Sequence, residues 1–321
     1  MRRSATIARW AAAIAGLAML AGCAKGDLPY RVLESKYATP ASRFADLPGG
    51  LHVHYRDQGD PNAAHTLVLV HGFAASLQAW EPWVARLTPG YRVISLDLPG
   101  HGLTRAPAGY RPSTDANIAV IDELTQRLRA PRFVLGGNSM GGGIAWNYAL
   151  NHPERLEGLI LVDAGGWPHP PKQGGGGSIL VFKLLGNPVG RAILEHIDPT
   201  PLAERGLKQA YVDPALVTPA LVHRYVDFSR APGHRAILLS QNSGPHAPVT
   251  PATFQAIHTP TLVMVGAADK VIPPDDSRNL AGAIPGAKLI VYPGVGHVPM
   301  EQVPDRSAAD VKAFVDGLPP G

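Results

Sequence analysis

The sequence has very little cysteine and almost no excess of charge. Its 321 residues include one cysteine, so a disulfide within the chain is excluded. Basic residues number 29 and acidic residues 25, and three of the basic ones are Arg2, Arg3 and Arg9. The rest of the chain is therefore nearly neutral and has no basic stripe. We expect no nucleic-acid partner.

The apolar stretch at the N-terminus is too short for a comfortable membrane span. It covers residues 10–20, follows the three arginines and ends in LAGC, residues 20–23. This pattern resembles the lipobox of bacterial lipoproteins, which implies a signal peptide over 1–22 and a lipid on the thiol of Cys23. The residue after the cysteine is Ala24 and not an aspartate, and in such lipoproteins this implies sorting to the outer membrane of the cell envelope. An ordinary secretory signal with an incidental cysteine is the alternative.

Apolar runs that are typical of buried strands alternate along the chain with helical patterns. This alternation predicts an α/β fold, with a mostly parallel central sheet and helices on both faces. We predict strands over 51–59, 66–72, 91–100, 132–139, 157–166, 259–270 and 287–297, and helices over 76–88, 115–129 and 306–317.

The composition changes twice along the chain and so indicates domain boundaries. Residues 23–41 are polar and contain proline, which predicts a tether. The α/β pattern covers residues 42–166, the first part of the predicted core, and residues 256–321, its second part. Between these parts, residues 167–255 hold a Gly/Pro-rich loop and several helical patterns, so we predict an inserted helical cap.

Five glycines surround a single serine in LGGNSMGGGI, residues 135–144. The central G-x-S-x-G follows an apolar strand and precedes a helical stretch, which is the context of a nucleophile elbow. Ser139 would then occupy a strained turn at a helix N-terminus, where amide dipoles favour developing negative charge.

A serine nucleophile needs a base, and the base needs a carboxylate to orient it. In this architecture the acid and then the histidine follow the serine along the chain. Asp269 and His297 come after the last two predicted strands, at the sheet edge where Ser139 lies. Asp163, after the strand before them, remains a competing acid or a loop-capping residue.

Two backbone N–H groups are expected to stabilise the oxyanion that forms during attack. Met140 follows the nucleophile, and Phe73 lies in the loop after the strand over 66–72. The histidines of the neighbouring loops, His71 and His101, are interpreted as structural.

The combination of HGF, DLPGHGLT, GNSMGG, GAADKVIPP and GVGHVPME resembles the α/β-hydrolase superfamily over residues 42–317. The resemblance implies a catalytic triad of Ser139, Asp269 and His297. The elbow is similar to that of meta-cleavage-product hydrolases and of monoacylglycerol lipases.

These observations predict a serine hydrolase that cleaves small carboxylic esters with an apolar acyl group. No metal or organic cofactor is expected, since no clustered ligand pattern is present. Three alternatives stay open: a carbon–carbon bond hydrolase, a cofactor-free perhydrolase and a non-catalytic binding lipoprotein. A lipidated Cys23 would hold any of these on a membrane.

Overall fold

A computed structural model of the chain describes residues 26–169, 197–240 and 248–319. In these residues eight strands form one sheet in the order β1-β2-β4-β3-β5-β6-β7-β8. The α/β architecture predicted from the sequence is confirmed. The strands are β1 Ser42–Leu47, β2 Leu51–Gln58, β3 Thr66–Val70, β4 Arg92–Leu96, β5 Phe133–Asn138, β6 Leu156–Val162, β7 Thr261–Gly266 and β8 Lys288–Tyr292.

The middle of the sheet is parallel, and its strands are buried on both faces. Strands β4, β5, β6 and β7 are buried along their whole length, as their continuous apolar runs predict. In this sheet only β2 runs against the other strands: it pairs antiparallel with β1 on one side and with β4 on the other. Because strands β3 to β8 are parallel, the loops after them meet at one edge of the sheet.

Helices cover both faces of the sheet and close two apolar cores. On one face Trp83 is fully buried and donates a 2.8 Å hydrogen bond to Ser307 Oγ. On the other face the fully buried Ile121 and Leu124 pack against the strands. The helices are α1 Tyr30–Tyr37, α2 Glu81–Leu87, α3 Thr114–Arg127, α4 Met140–Asn151, α5 Thr200–Ala210, α6 Pro219–Ser229, α7 His234–Ser240, α8 Pro251–Phe254, α9 Pro274–Ala283, α10 Pro299–Gln302 and α11 Pro304–Val315.

The segment before the sheet differs from the tether predicted over 23–41. Helix α1 lies in it, and Leu33 on that helix is fully buried in a small apolar cluster with Phe228. Lys36 and Tyr37 both bind the carboxylate of Asp227, at 2.9 Å and 2.8 Å. The apolar face of α1 is therefore buried against the domain, and the segment packs on the domain instead of extending from it as a tether. Cys23 and the predicted signal peptide lie outside the described residues.

The chain between β6 and β7 contains the predicted cap. Its described part is helical and comprises α5 to α8. Residues 170–196 and 241–247 of the predicted cap lie outside the described residues. Within the described ranges, no helix combines the length and the apolar character that crossing a membrane requires.

Candidate active site

Ser139 occupies the sharp turn between β5 and α4. Its backbone has φ 56° and ψ −116°, a conformation that side chains rarely adopt. Two hydrogen bonds hold the turn: Ser139 N–H donates to Val162 O at 3.0 Å, and Gly165 N–H donates to Ser139 O at 2.9 Å. The strained strand-to-helix turn predicted from G-x-S-x-G is therefore present, with the half-buried Ser139 at the carboxyl edge of the sheet.

The glycines around Ser139 are required because backbones meet there. A Cβ on Gly137 would lie 2.2 Å from Gly141 O, within the turn itself. A Cβ on Gly141 would lie 2.2 Å from Val70 O, so helix α4 could not approach β3. Both distances are far inside van der Waals contact, and the obstructing atoms are backbone atoms that cannot rotate away.

His297 and Asp269 come together at the same sheet edge. His297 Nδ1 donates to Asp269 Oδ2 at 2.7 Å, and both residues are buried. The other oxygen, Asp269 Oδ1, accepts the N–H groups of Val271 at 2.7 Å and Ile272 at 3.1 Å. With the proton on Nδ1, His297 Nε2 is the nitrogen left to act as a base.

The backbone of His297 is fixed from two sides. Its N–H donates to Ala210 O at the end of α5, at 2.8 Å. Its carbonyl accepts a 3.0 Å hydrogen bond from Asn138 Nδ2, which also donates to Val162 O at 3.1 Å. Asn138 was not singled out from the sequence. The sequence feature that could have identified it is an amide residue at the end of an otherwise apolar strand, directly before the candidate nucleophile.

The two candidate oxyanion donors belong to segments that adjoin Ser139. A Cβ on Gly72 would come within 3.1 Å of Ser139 Cβ, so the loop that continues into Phe73 runs against the nucleophile. Met140 is the first residue of α4, where helix N–H groups have no partner within the helix. Both predicted donors are therefore carried by segments that adjoin Ser139.

His71 and His101 are buried in the neighbouring loops. His71 Nδ1 donates to Gly72 O at 2.8 Å, and its Nε2 accepts the N–H of Leu98 at 3.1 Å. His101 Nδ1 donates to Pro99 O at 3.1 Å. Burial lowers the pKa of His71 and holds the pKa of His101 well below its ordinary value of 6.5. Both side chains hold loop backbone, as the sequence predicted.

Asp163 lies beside the pair formed by His297 and Asp269. An oxygen of each carboxyl group and a ring nitrogen of His297 all lie within 4.8 Å of one another. Asp163 Oδ1 accepts the N–H of Gly266 at 3.0 Å, whereas the hydrogen bond from His297 goes to Asp269. The geometry therefore favours Asp269 over Asp163 as the carboxylate that orients the imidazole.

Comparison with known proteins shows the family to which the chain belongs. A model described as "Alpha/beta hydrolase family" matches residues 67–310. Lipase 3 of Moraxella sp. (strain TA144) is 30% identical over 269 residues, 81% of this chain and 80% of the lipase. A 2-hydroxy-6-oxo-6-phenylhexa-2,4-dienoate hydrolase of Burkholderia cepacia is 30% identical over 259 residues, 76% of this chain and 84% of that enzyme.

The solved structures that resemble this fold include a bacterial membrane phospholipase A, described as a virulence factor. It is 25% identical to this chain and superposes with a TM-score of 0.71, and the match covers 99% of each of the two chains. The likeness therefore extends over nearly the whole of each protein.

Proposed function

The chain belongs to the alpha/beta hydrolase family, and on that premise we propose that it is a serine hydrolase that cleaves carboxylic esters. The observation that carries the proposal is the 2.7 Å hydrogen bond from His297 Nδ1 to Asp269 Oδ2, at the sheet edge that also holds the Ser139 elbow. A nucleophile on a strained turn, a base and an orienting carboxylate are the groups that acyl transfer requires.

In the proposed reaction His297 Nε2 takes the proton from Ser139 Oγ as that oxygen attacks the ester carbonyl. Asp269 keeps the imidazole in the tautomer that leaves Nε2 free, and its charge stabilises the imidazolium that forms. The imidazolium then gives its proton to the departing alcohol. Water, activated by the same base, releases the acid from Ser139.

The negative charge that develops on the carbonyl oxygen needs fixed donors. We assign this role to the backbone N–H groups of Phe73 and Met140, which adjoin Ser139 from the loop after β3 and from α4. Removing one such donor generally costs about 10²–10³-fold in kcat. The first turn of α4 adds the positive end of its helix dipole.

We propose an apolar acyl group as the part of the substrate that the site prefers. The Phe73 backbone carries one of the proposed oxyanion donors, and the Val271 backbone donates to Asp269; their side chains are 46% and 47% exposed. Exposed apolar side chains at such a place favour an apolar ligand. The lipase relative and the phospholipase structure support the same choice.

Covalent labelling tests the chemistry directly. A fluorophosphonate probe should label the wild-type protein and fail to label Ser139→Ala. Turnover of an aryl ester should fall on the order of a thousandfold or more in that variant, with its circular dichroism unchanged. The matched control is Ser35→Ala on α1, an exposed serine whose loss should leave labelling intact. Equal labelling of both variants would overturn the assignment of Ser139.

Carbon–carbon bond hydrolysis is the second candidate, because the Burkholderia cepacia relative is as similar as the lipase. A panel of aryl esters of graded acyl length, run beside a meta-cleavage dienone, separates the two. Faster turnover of the dienone would replace the ester proposal. Perhydrolysis would require peroxide-dependent peracid formation, and a binding lipoprotein would turn over neither substrate.

We further propose that Cys23 carries the lipid that anchors the protein to the bacterial envelope, in the outer membrane. One acyl chain binds a bilayer only marginally, whereas two or more hold a protein stably. Wild-type protein expressed with a fatty-acid analogue should take up the label and sediment with membranes, and Cys23→Ala should do neither. Unlabelled wild-type protein would refute the anchor and leave the hydrolase proposal intact.

A further inference from the structure

Asp163 is a second buried carboxyl group at the proposed triad. It follows β6 directly, is fully buried and has a left-handed backbone with φ 44°. Its own N–H donates to Met264 O at 2.9 Å. This backbone conformation is unfavourable for most side chains. It places the short polar side chain of Asp163 in the space between β6, β7 and the His297 loop.

The hydrogen bonds of the two carboxyl groups are unequal. Asp269 accepts three N–H donors, from His297, Val271 and Ile272. Asp163 accepts one, from Gly266, and its Oδ2 is buried without an N–H or O–H donor from any described residue. A buried carboxylate oxygen without a donor is costly, and a proton on that oxygen removes the cost.

The surroundings of Asp163 also favour its protonated form. The titratable groups that face it are Asp269 after β7, His297 after β8 and, at longer range, Tyr292 on β8. Burial, followed by the negative charge of Asp269, raises the pKa of Asp163 well above its ordinary value. Two carboxylates this close in a buried site do not both ionise readily.

We propose that Asp163 is protonated at neutral pH and donates from Oδ2 to Asp269, so that it acts as a positioning residue and as a reserve acid. The pair then holds one proton and one negative charge. The hydrogen bond from Asp163 fixes the Asp269 carboxylate, and Asp269 in turn holds His297. If Asp269 is made neutral, Asp163 loses its proton to solvent and becomes the carboxylate nearest to His297. This inference rests on the proposed function of the triad.

Infrared spectroscopy tests the protonation without depending on turnover. A protonated carboxyl group has a carbonyl stretch that an ionised carboxylate lacks. We expect that band in wild-type protein at pH 7 and in Ser139→Ala, and expect it to disappear in Asp163→Asn. Absence of the band in wild-type protein would overturn the proposal, and so would a bound metal ion that keeps both carboxylates ionised.

Kinetics of three variants test the reserve role. Asp163→Asn keeps a neutral donor, so it should lose much less kcat/KM at pH 7 than Asp269→Asn does. Asp269→Asn should lose less than the roughly 10⁴-fold that a misplaced imidazole tautomer costs elsewhere. The double variant Asp163→Asn/Asp269→Asn should fall at least a further tenfold. The residual activity of Asp269→Asn should also rise with pH as Asp163 ionises.

Two kinetic results would contradict the proposal. If Asp163→Asn alone loses as much activity as Asp269→Asn, then Asp163 is the working acid and not its positioning partner. If the double variant equals Asp269→Asn at every pH, Asp163 does not substitute for it. Loss of fluorophosphonate labelling in Ser139→Ala remains the separate test of the serine, so the two proposals fail in different experiments.

Discussion

The backbone N–H of His297 is hydrogen-bonded to the carbonyl of Ala210 at 2.8 Å. Ala210 is the last residue of α5, the first described helix of the insertion, and His297 follows the last strand of the sheet. The insertion therefore holds the proposed base directly, through backbone atoms that no side-chain substitution removes. A displacement of α5 would change the position of the imidazole.

Gly296→Ala should disturb this contact. A Cβ on Gly296 would lie 2.3 Å from Ala210 O, a backbone atom that cannot rotate away. We expect a loss of stability of about 1–3 kcal/mol from overpacking and a fall in kcat of at least tenfold. The matched control is Gly206→Ala on the same helix α5, where no atom lies within 4 Å of the new Cβ. Equal kcat values for the two variants would contradict the role of this contact.

Asn138→Ala should weaken the hold on the His297 loop from the other side. The change removes the donor to His297 O and leaves a buried carbonyl unsatisfied, at a cost of about 1–3 kcal/mol. We expect a lower melting temperature and a kcat reduced by about tenfold. Asn147→Ala is the control, since that amide donates only to Gly143 O within α4. A kcat for Asn138→Ala as high as that of the control would argue against the positioning role.

The buried histidines should make stability fall as the pH is lowered. Burial lowers the pKa of His71, His101 and His234 below the ordinary 6.5. Below about pH 6.5 the unfolded chain binds protons that the folded chain does not, so the free energy of unfolding decreases. Each histidine contributes a slope of at most about 1.4 kcal/mol per pH unit.

Urea denaturation between about pH 6.5 and 5 measures that slope. In His101→Gln the slope should decrease by at most about 1.4 kcal/mol per pH unit, because one proton fewer is taken up on unfolding. His258→Gln replaces an exposed histidine and should leave the slope as it is in wild type. An unchanged slope in His101→Gln would mean that His101 is already protonated in the folded protein.

Helix α1 should behave as part of the domain and not as a linker. Leu33 is fully buried, so Leu33→Ala should lower the free energy of unfolding by about 2–5 kcal/mol. Arg31→Ala, on an exposed position of the same helix, should change it by no more than about 0.5 kcal/mol. Equal stability of the two variants, measured by urea denaturation, would restore the interpretation of this segment as a tether.

Local patterns in the sequence predicted most of the sheet and the loops that bring the candidate triad together. A strand buried on both faces leaves a continuous apolar run, and a tight backbone approach leaves glycines around Ser139. The contacts that hold the site leave no such pattern. The hydrogen bond between Ala210 and His297 joins backbone atoms of distant residues, so it cannot be predicted from the identity of either residue. The burial of Leu33 likewise depends on a cluster that only the folded chain assembles.

The polypeptide enters the domain along the insertion. Arg230 donates to the carbonyl of Gly26 at 2.9 Å and 2.8 Å, and Arg235 binds Asp27 at 2.6 Å. A mechanical load applied to the chain just before Gly26 would first be borne by these arginines and only later by β1. Such a load would act on the insertion, the part of the molecule whose helix α5 also supports the backbone of His297.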